Sequence, residues 1–310
     1  MKLIPITLLL AILATSCGFN KTTQSKTNNK LTNTNLLDQN FEADYSIINT
    51  DFGTETNVII KGGKRVMTTN SLPNHSTGTF PNKGNPNSIS AQNKEYSFPI
   101  NPTLSGESKW ARQPGVALNG VKFEPETAER FVCETGEEYR IEAFQDLVDL
   151  GLDKNLAHVQ PTGEYHYHGV PKGLVQSLDN GSDIVLVGYA MDGFPIYYSK
   201  SGKYKPSYVL NTELRTGDVC SYKNPHTSMD KELNNTNPDG TFVSDWKFQS
   251  NQGDLDECNG IEMDGKYCYF VTDNYPYVGR CLKGEFKESR PSGPPPGSHS
   301  HGKGGRPHTH

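Results

Sequence analysis

The sequence predicts a mainly β fold: a single antiparallel, hairpin-rich domain of sandwich or barrel-like form with one short helix. Two observations predict it. Dipeptides that close two-residue hairpins recur between short apolar runs, and one segment alone sets its apolar residues at helical spacing. Gly62-Gly63 sits between Val58-Ile59-Ile60 and Arg65-Val66-Met67, and Asn119-Gly120 between Val116-Ala117-Leu118 and Val121-Lys122-Phe123. Asp192-Gly193 divides the run from Ile184 to Tyr189 from Phe194-Pro195-Ile196-Tyr197-Tyr198, and Asp264-Gly265 precedes the run from Lys266 to Val271. The helical exception runs from Ile141 to Leu150. There Ile141, Phe144, Leu147 and Val148 share a face, Glu142, Gln145, Asp146 and Asp149 point away, and Gly151 supplies a left-handed stop.

The N-terminal residues carry an address. Met1 to Ser16 opens with Lys2 and continues through an apolar run that is too short to span a bilayer, which needs about 20 residues, but suits a secretory signal peptide. It ends in Ala14-Thr15-Ser16-Cys17, which resembles the lipobox of bacterial lipoproteins. That resemblance implies diacylation of Cys17 as the mature N-terminus, although Ala14 stands where the lipobox more often has a larger aliphatic residue. The expected organisation is a signal peptide over 1–16, lipidated Cys17 and a disordered tether over 17–45, a β-rich domain over 46–286 and a disordered Pro/Gly/His-rich tail over 287–310. The expected location is the cell envelope, outside the cytoplasm, lipid-anchored at the outer membrane or cell surface. The tail histidines His299, His301, His308 and His310 read as a solubilising or adventitiously chelating segment.

A formal net charge of -5 gives no basic footprint for nucleic acid. Besides Cys17 there are five cysteines, Cys133, Cys220, Cys258, Cys268 and Cys281, with no C-x-x-C pair. In an oxidising compartment they read as disulfides with at least one left over. A serine-hydrolase elbow, a P-loop and a dinucleotide fingerprint are all absent, so any catalysis falls to a metal.

The chemistry-bearing stretch is Ala157-His158-Val159-Gln160-Pro161-Thr162-Gly163-Glu164-Tyr165-His166-Tyr167-His168-Gly169. Two-residue periodicity puts Glu164, His166 and His168 on one face of a strand and Tyr165 and Tyr167 on the other. Pro161-Thr162-Gly163 has the length and final glycine of a three-residue hairpin loop. A symmetric hairpin then sets His158 opposite His166, with Cβ atoms about 4.5 to 5.5 Å apart and His168 one diagonal away. Three imidazoles within reach of one ion make a Zn or Cu site with the fourth position open. Glu164, Asp192 and His75 are the candidates for orienting a ligand or assisting catalysis.

At these residues the chain resembles the bacterial YHYH-domain proteins, named for the motif that stands here as Tyr165 to His168. The resemblance extends over about residues 72 to 285 and includes Gly78-Thr79-Phe80-Pro81, Gly115 to Val121, Ala157 to Gly169, Gly188 to Tyr197, Gly253 to Gly260 and Arg280 to Gly284. It implies relatives and no activity. It also implies that Cys258 and Cys281, which lie in two such blocks, pair with each other.

Asp254, Asp256, Glu257 and Asn259 form an oxygen cluster that would suit Ca²⁺, without the spacing of an EF-hand. Two functional expectations result. One is a membrane-anchored metalloprotein whose His158, His166 and His168 bind Zn or Cu for hydrolysis, redox work or metal handling. The other is a non-catalytic envelope module for a glycan or protein, calcium-stabilised, with an exposed aromatic groove drawn from Tyr165, Tyr167, Tyr197 or Tyr198.

Overall fold

The computed structural model of the chain describes residues 32–224 and 227–287. The signal segment, Cys17 and the tail histidines lie outside the described residues, as does His226. The described residues from Thr32 onward belong to one compact unit. Among them no helix is long and apolar enough to cross a membrane.

Short strands follow one another as the turn chemistry dictates. β1 (Tyr45–Asn49), β2 (Thr54–Lys61), β3 (Lys64–Thr69) and β4 (Lys94–Pro99) form an antiparallel meander, with Gly62-Gly63 closing the β2–β3 hairpin. β5 (Leu104–Trp110) waits for the last strand of the chain, while β6 (Gly115–Ala117) and β7 (Lys122–Phe123) form a hairpin around Asn119-Gly120. β8 (Arg130–Cys133) and β9 (Glu138–Arg140) begin a small sheet. β10 (Ala157–Val159) and β11 (Tyr165–Tyr167) are the histidine hairpin, followed by α1 (Lys172–Ser177). β12 (Ile184–Ala190) and β13 (Pro195–Ser199) pair around Asp192-Gly193. β14 (Tyr208–Leu210) precedes β15 (Cys220–Lys223) and β16 (Ser228–Lys231), and pairs with β17 (Trp246–Phe248). β18 (Gly260–Met263) and β19 (Lys266–Val271) close around Asp264-Gly265, and β20 (Cys281–Gly284) returns to β5.

The strands assemble into a mainly β, sandwich-like body with no closed barrel among the described residues. Its centre is an eight-stranded sheet in the order β10-β11-β7-β6-β12-β13-β19-β18. The sheet is mixed, because β11 runs parallel to β7 and β13 parallel to β19. Ile47, Val58, Met67 and Phe98 of the meander share one core with Val116, Phe123, Tyr165, Tyr167 and Val187 of the central sheet. A second core, built on Phe131, Ile141, Tyr222 and Phe242, supports the β16-β15-β8-β9 sheet.

Two expectations about the chain change here. Among the described residues the one α-helix is α1, and the segment from Ile141 to Leu150 is irregular. Ile141 and Val148 are buried and Phe144 and Leu147 half-buried, but Glu142, expected to point away, is buried too, and the backbone is engaged otherwise. Ile141 bridges Phe242, and the Gln145 carboxamide accepts from the amides of Leu147 and Val148 at 2.6 and 2.8 Å. A side chain that bonds its own backbone two and three residues on competes with the helical ladder, and here it wins. The last stretch of the expected tether, from Thr32, is pinned to β1: the Thr34 amide donates to the Ile48 carbonyl at 2.8 Å and the Ile48 amide to Thr34 Oγ1 at 3.0 Å. Disulfides join Cys133 to Cys220 and Cys258 to Cys281. Among the described residues Cys268 is the free cysteine, and burial pushes its thiol up to about 12. Two disulfides belong to an oxidising, extracytoplasmic compartment.

Candidate metal centre

The hairpin between β10 and β11 sets the site. Gly163 takes φ +82°, and a Cβ there would meet Ser90 Oγ at 2.0 Å, so the turn demands glycine on both counts. The turn is tied by the Gly163 amide to the Gln160 carbonyl at 2.8 Å and by the Gln160 amide to the Glu164 carbonyl at 3.0 Å. The register that follows is Val159 to Tyr165, His158 to His166 and Ala157 to Tyr167.

On one side of β11 the three imidazoles converge. Each pair of ring centroids among His158, His166 and His168 is 4.7 Å apart, and one nitrogen from each lies within 4.8 Å of the others. Among the described residues this is the one such grouping of His, Cys, Asp or Glu. His158 Nδ1 lies 2.9 Å from the Leu150 carbonyl and His166 Nδ1 3.3 Å from the Glu164 carbonyl. A carbonyl only accepts, so both Nδ1 atoms carry the hydrogen and both Nε2 atoms present lone pairs. His168 Nε2 faces His158 Nε2 at 3.0 Å, and its Nδ1 is buried without a partner. Two nitrogens bonded to one tetrahedral zinc stand about 3.3 Å apart, so this pair is already at bite distance. Taking an ion asks the His168 ring to move its hydrogen from Nε2 to Nδ1, a change of tautomer with no change of charge.

Burial keeps the three rings neutral. Desolvation lowers His158 below the ordinary histidine range and drives His166 and His168 well below it, with neighbouring rings and the Lys122 ammonium adding to the effect on the latter two. Neutral imidazole is the form that binds metal.

Around the trio lies a charged frame that hairpin reasoning did not find. β7 runs parallel beside β11 with Lys122 in register with His166, so Lys122 and Glu124 stand on the histidine face. Lys122 Nζ is 2.6 Å from Glu124 Oε2 and donates to Gln160 Oε1 at 3.1 Å, while Gln160 Nε2 donates to Glu124 Oε2 at 2.7 Å. Gln160 extends β10 and Glu124 extends β7, so their contact reaches across β11 on the histidine side. His166 and His168 are 2% and 3% exposed beneath this frame, whereas His158, on the edge strand, is half-buried. Burial raises the Glu124 carboxyl, but Lys122 outweighs it and holds the group below its usual range. Arg112 Nε donates to Glu124 Oε1 at 3.3 Å from a side chain that is 68% exposed. Glu164, on the same face as the histidines, pairs through Oε2 with Lys94 at 3.2 Å and Lys122 at 3.6 Å, while its Oε1 is buried and unpartnered.

Other residues singled out in the sequence go elsewhere. His75 is behind the strand: its Nε2 lies 2.6 Å from the Tyr167 hydroxyl, on the face opposite the trio. Asp192 accepts from the Tyr269 hydroxyl at 2.6 Å and the Gly284 amide at 2.9 Å, so it ties β12–β13 to β19 and β20 and orients no histidine. The acidic loop does not gather around an ion. Asp256 Oδ1 accepts from the amides of Cys258 and Gly260, both at 2.9 Å, and the Lys283 ammonium sits 3.1 Å from both Asp256 Oδ2 and Glu257 Oε1. Asp254 accepts from the Lys205 amide at 2.9 Å, and the Asn259 carboxamide donates to the Phe270 carbonyl at 3.3 Å. Turn amides and an ammonium therefore engage carboxylate oxygens of Asp254, Asp256 and Glu257, while Asn259 Oδ1 is buried without a partner. Tyr165 and Tyr167 are 0% exposed, which removes both from an exposed aromatic groove.

Neither the curated proteins nor the solved structures contain a match to this chain. A family model described as YHYH protein matches residues 95–284, which span Arg112, Lys122 and Glu124 of the charged frame, the histidine hairpin and the Cys258–Cys281 disulfide. With more than half of its length matched, the chain belongs to the YHYH protein family.

Proposed function

We propose that this chain is a membrane-anchored extracytoplasmic metal-binding lipoprotein in which His158, His166 and His168 hold one Zn or Cu ion, tethered to the envelope through acylated Cys17. The observation that carries the reading is the convergence of three neutral imidazoles, His166 and His168 buried and His158 half-buried, with His158 and His166 preset as Nε2 ligands by Nδ1 hydrogen bonds to backbone carbonyls. Zinc and copper both accept an all-imidazole set, and copper binds it more tightly by the usual divalent order. Three protein ligands leave a coordination position for water or substrate, the arrangement that serves metal-assisted hydrolysis, and with copper the same set serves redox work or metal handling.

The test is metal content in the full chain with His299, His301, His308 and His310 changed to Ala, so that the tail cannot chelate. After dialysis against Zn²⁺ or Cu²⁺, one equivalent should remain by mass spectrometry of the metal, and His158→Ala, His166→Ala and His168→Ala should each lose it. Undiminished occupancy in all three variants ends this reading.

A further inference from the structure

Resting on that reading, the charge balance of the site selects what fills the remaining position. Three neutral imidazoles leave the charge of a divalent ion uncompensated beside two rings, His166 and His168, that are almost wholly buried, and a buried charge without a partner is costly. The carboxylates near the trio cannot supply the missing negative charge. Glu124 is matched by Lys122 at 2.6 Å and Arg112 at 3.3 Å, and Glu164 by Lys94 at 3.2 Å and Lys122 at 3.6 Å. Two carboxylates thus face three cations before any metal arrives. Glu129 and Asp153, whose fields also reach His158, are already engaged, Glu129 with Tyr222 and Asp153 with the Tyr165 hydroxyl and the Gly78 amide.

One of those cations is free to do more. Arg112 is bonded through Nε alone, its side chain is 68% exposed, and its two terminal amino groups are left for a planar, bidentate partner. It sits beside Glu124, whose other oxygen is 2.6 Å from the Lys122 ammonium, and Lys122 is in register with His166. We propose that the ligand completing the metal centre is a small oxyanion, bearing a carboxylate or phosphate group, held between the ion and Arg112 with the Lys122 ammonium reinforcing the field. The site would accordingly discriminate against neutral and cationic ligands of the same size.

Cobalt loading gives a direct readout, because the visible bands of Co²⁺ respond to its ligands. The full chain with the four tail histidines replaced would be loaded with Co²⁺ and titrated with acetate and with inorganic phosphate, cobalt stoichiometry being measured in the same samples. A saturable band shift is expected with at least one anion, weakened roughly tenfold or more in Arg112→Met and in Lys122→Gln with one equivalent of cobalt retained. Arg112 is exposed, so its variant should fold even if the buried Lys122→Gln does not. Bound cobalt whose bands ignore both anions, or an unchanged anion affinity in Arg112→Met, overturns the oxyanion assignment and leaves the metal reading standing. Failure to bind cobalt at all sinks both.

Discussion

The two faces of β11 carry two tyrosines and two histidines in strict alternation, yet their hydrogen-bond accounts differ. On the tyrosine face every polar group is matched: Tyr165 donates to Asp153 at 2.7 Å, and the Tyr167 hydroxyl meets His75 Nε2 at 2.6 Å and the Asn119 amide nitrogen at 2.9 Å. On the histidine face His168 Nδ1 and Glu164 Oε1 are buried with nothing to bond. Each such group costs about 1–3 kcal/mol, and natural interiors rarely keep one without a use. The first face is finished by folding alone. The second holds ring nitrogens apart from protein partners and close to one another, which is a cost to stability and a gain only to something that binds there.

The sharpest way to break this contrast is to truncate one residue from the histidine face. His168→Ala should weaken Zn²⁺ or Cu²⁺ binding by about a hundredfold or more, since it removes a third of the ligand set. Competition with a chromophoric chelator measures this. The fold should survive, because the ring removed satisfies no backbone group. If instead the variant keeps its metal and unfolds, the two faces are alike and the trio is structural.

Next in size is the response to acid of metal-free protein. His166 and His168, with His158 and His75 to a lesser degree, have folded-state pKa values below the unfolded 6.5, with burial as the first cause in every case. The sign follows from proton counting. Below pH 6.5 the unfolded chain takes up protons that the folded chain refuses, so stability is intact above that pH and is lost as pH falls beneath it. With more than one such ring the loss should exceed about 1.4 kcal/mol per pH unit until the folded-state values are reached. Urea unfolding between neutral and mildly acidic pH reads it, and His166→Ala should flatten the slope. A stability that is level across this range would show the rings charging freely in the fold.

A smaller effect of opposite kind is expected from Tyr167→Phe. The lost hydroxyl leaves His75 Nε2 without its partner and removes one contact of Asn119, which keeps Asn74 Oδ1 at 2.9 Å. Stability should drop by about 2 kcal/mol, and metal affinity should not change. Movement of metal affinity with this variant would mean that the two faces are coupled through the strand.

What could be read from the sequence follows the range of the interactions that decide it. The His158–His166 register depends on the seven residues between them, Gly163 included, all local, so alternation and turn length were enough. The other half of the site was hidden because β7 joins β11 in parallel, across a gap in sequence that no hairpin signal spans. The one local trace is that Lys122 and Glu124 alternate with Phe123, which marks a shared face. The Leu150 carbonyl that fixes His158 is a main-chain group and leaves no trace in residue identity. His75 failed as a ligand because it belongs to the tyrosine face, a matter of which layer the loop enters. The Ile141–Leu150 pattern marked Ile141 and Val148 for the core but turned the buried Glu142 outward and named the wrong backbone, because Gln145 offered its neighbours a nearer acceptor.

The acidic loop sharpens the comparison from outside the strand, since its carboxylates are as dense in sequence as the histidines and end differently. Lys283 delivers an ammonium to both Asp256 and Glu257 from β20, whose first residue is disulfide-bonded to Cys258 in the same loop. A calcium site held at a hundredfold excess over its dissociation constant would add about 2.7 kcal/mol, several degrees in Tm for a small domain and somewhat less here. Millimolar Ca²⁺ should therefore leave the thermal unfolding of the full chain, tail histidines replaced, within about one degree of its value in chelator. Lys283→Gln removes the competing cation and leaves Asp256 Oδ2 and Glu257 facing each other, so any calcium response should emerge in that variant first. A rise of several degrees in the unaltered chain would mean that the ammonium yields to the ion, and that ligands already partnered in the fold can still form a site.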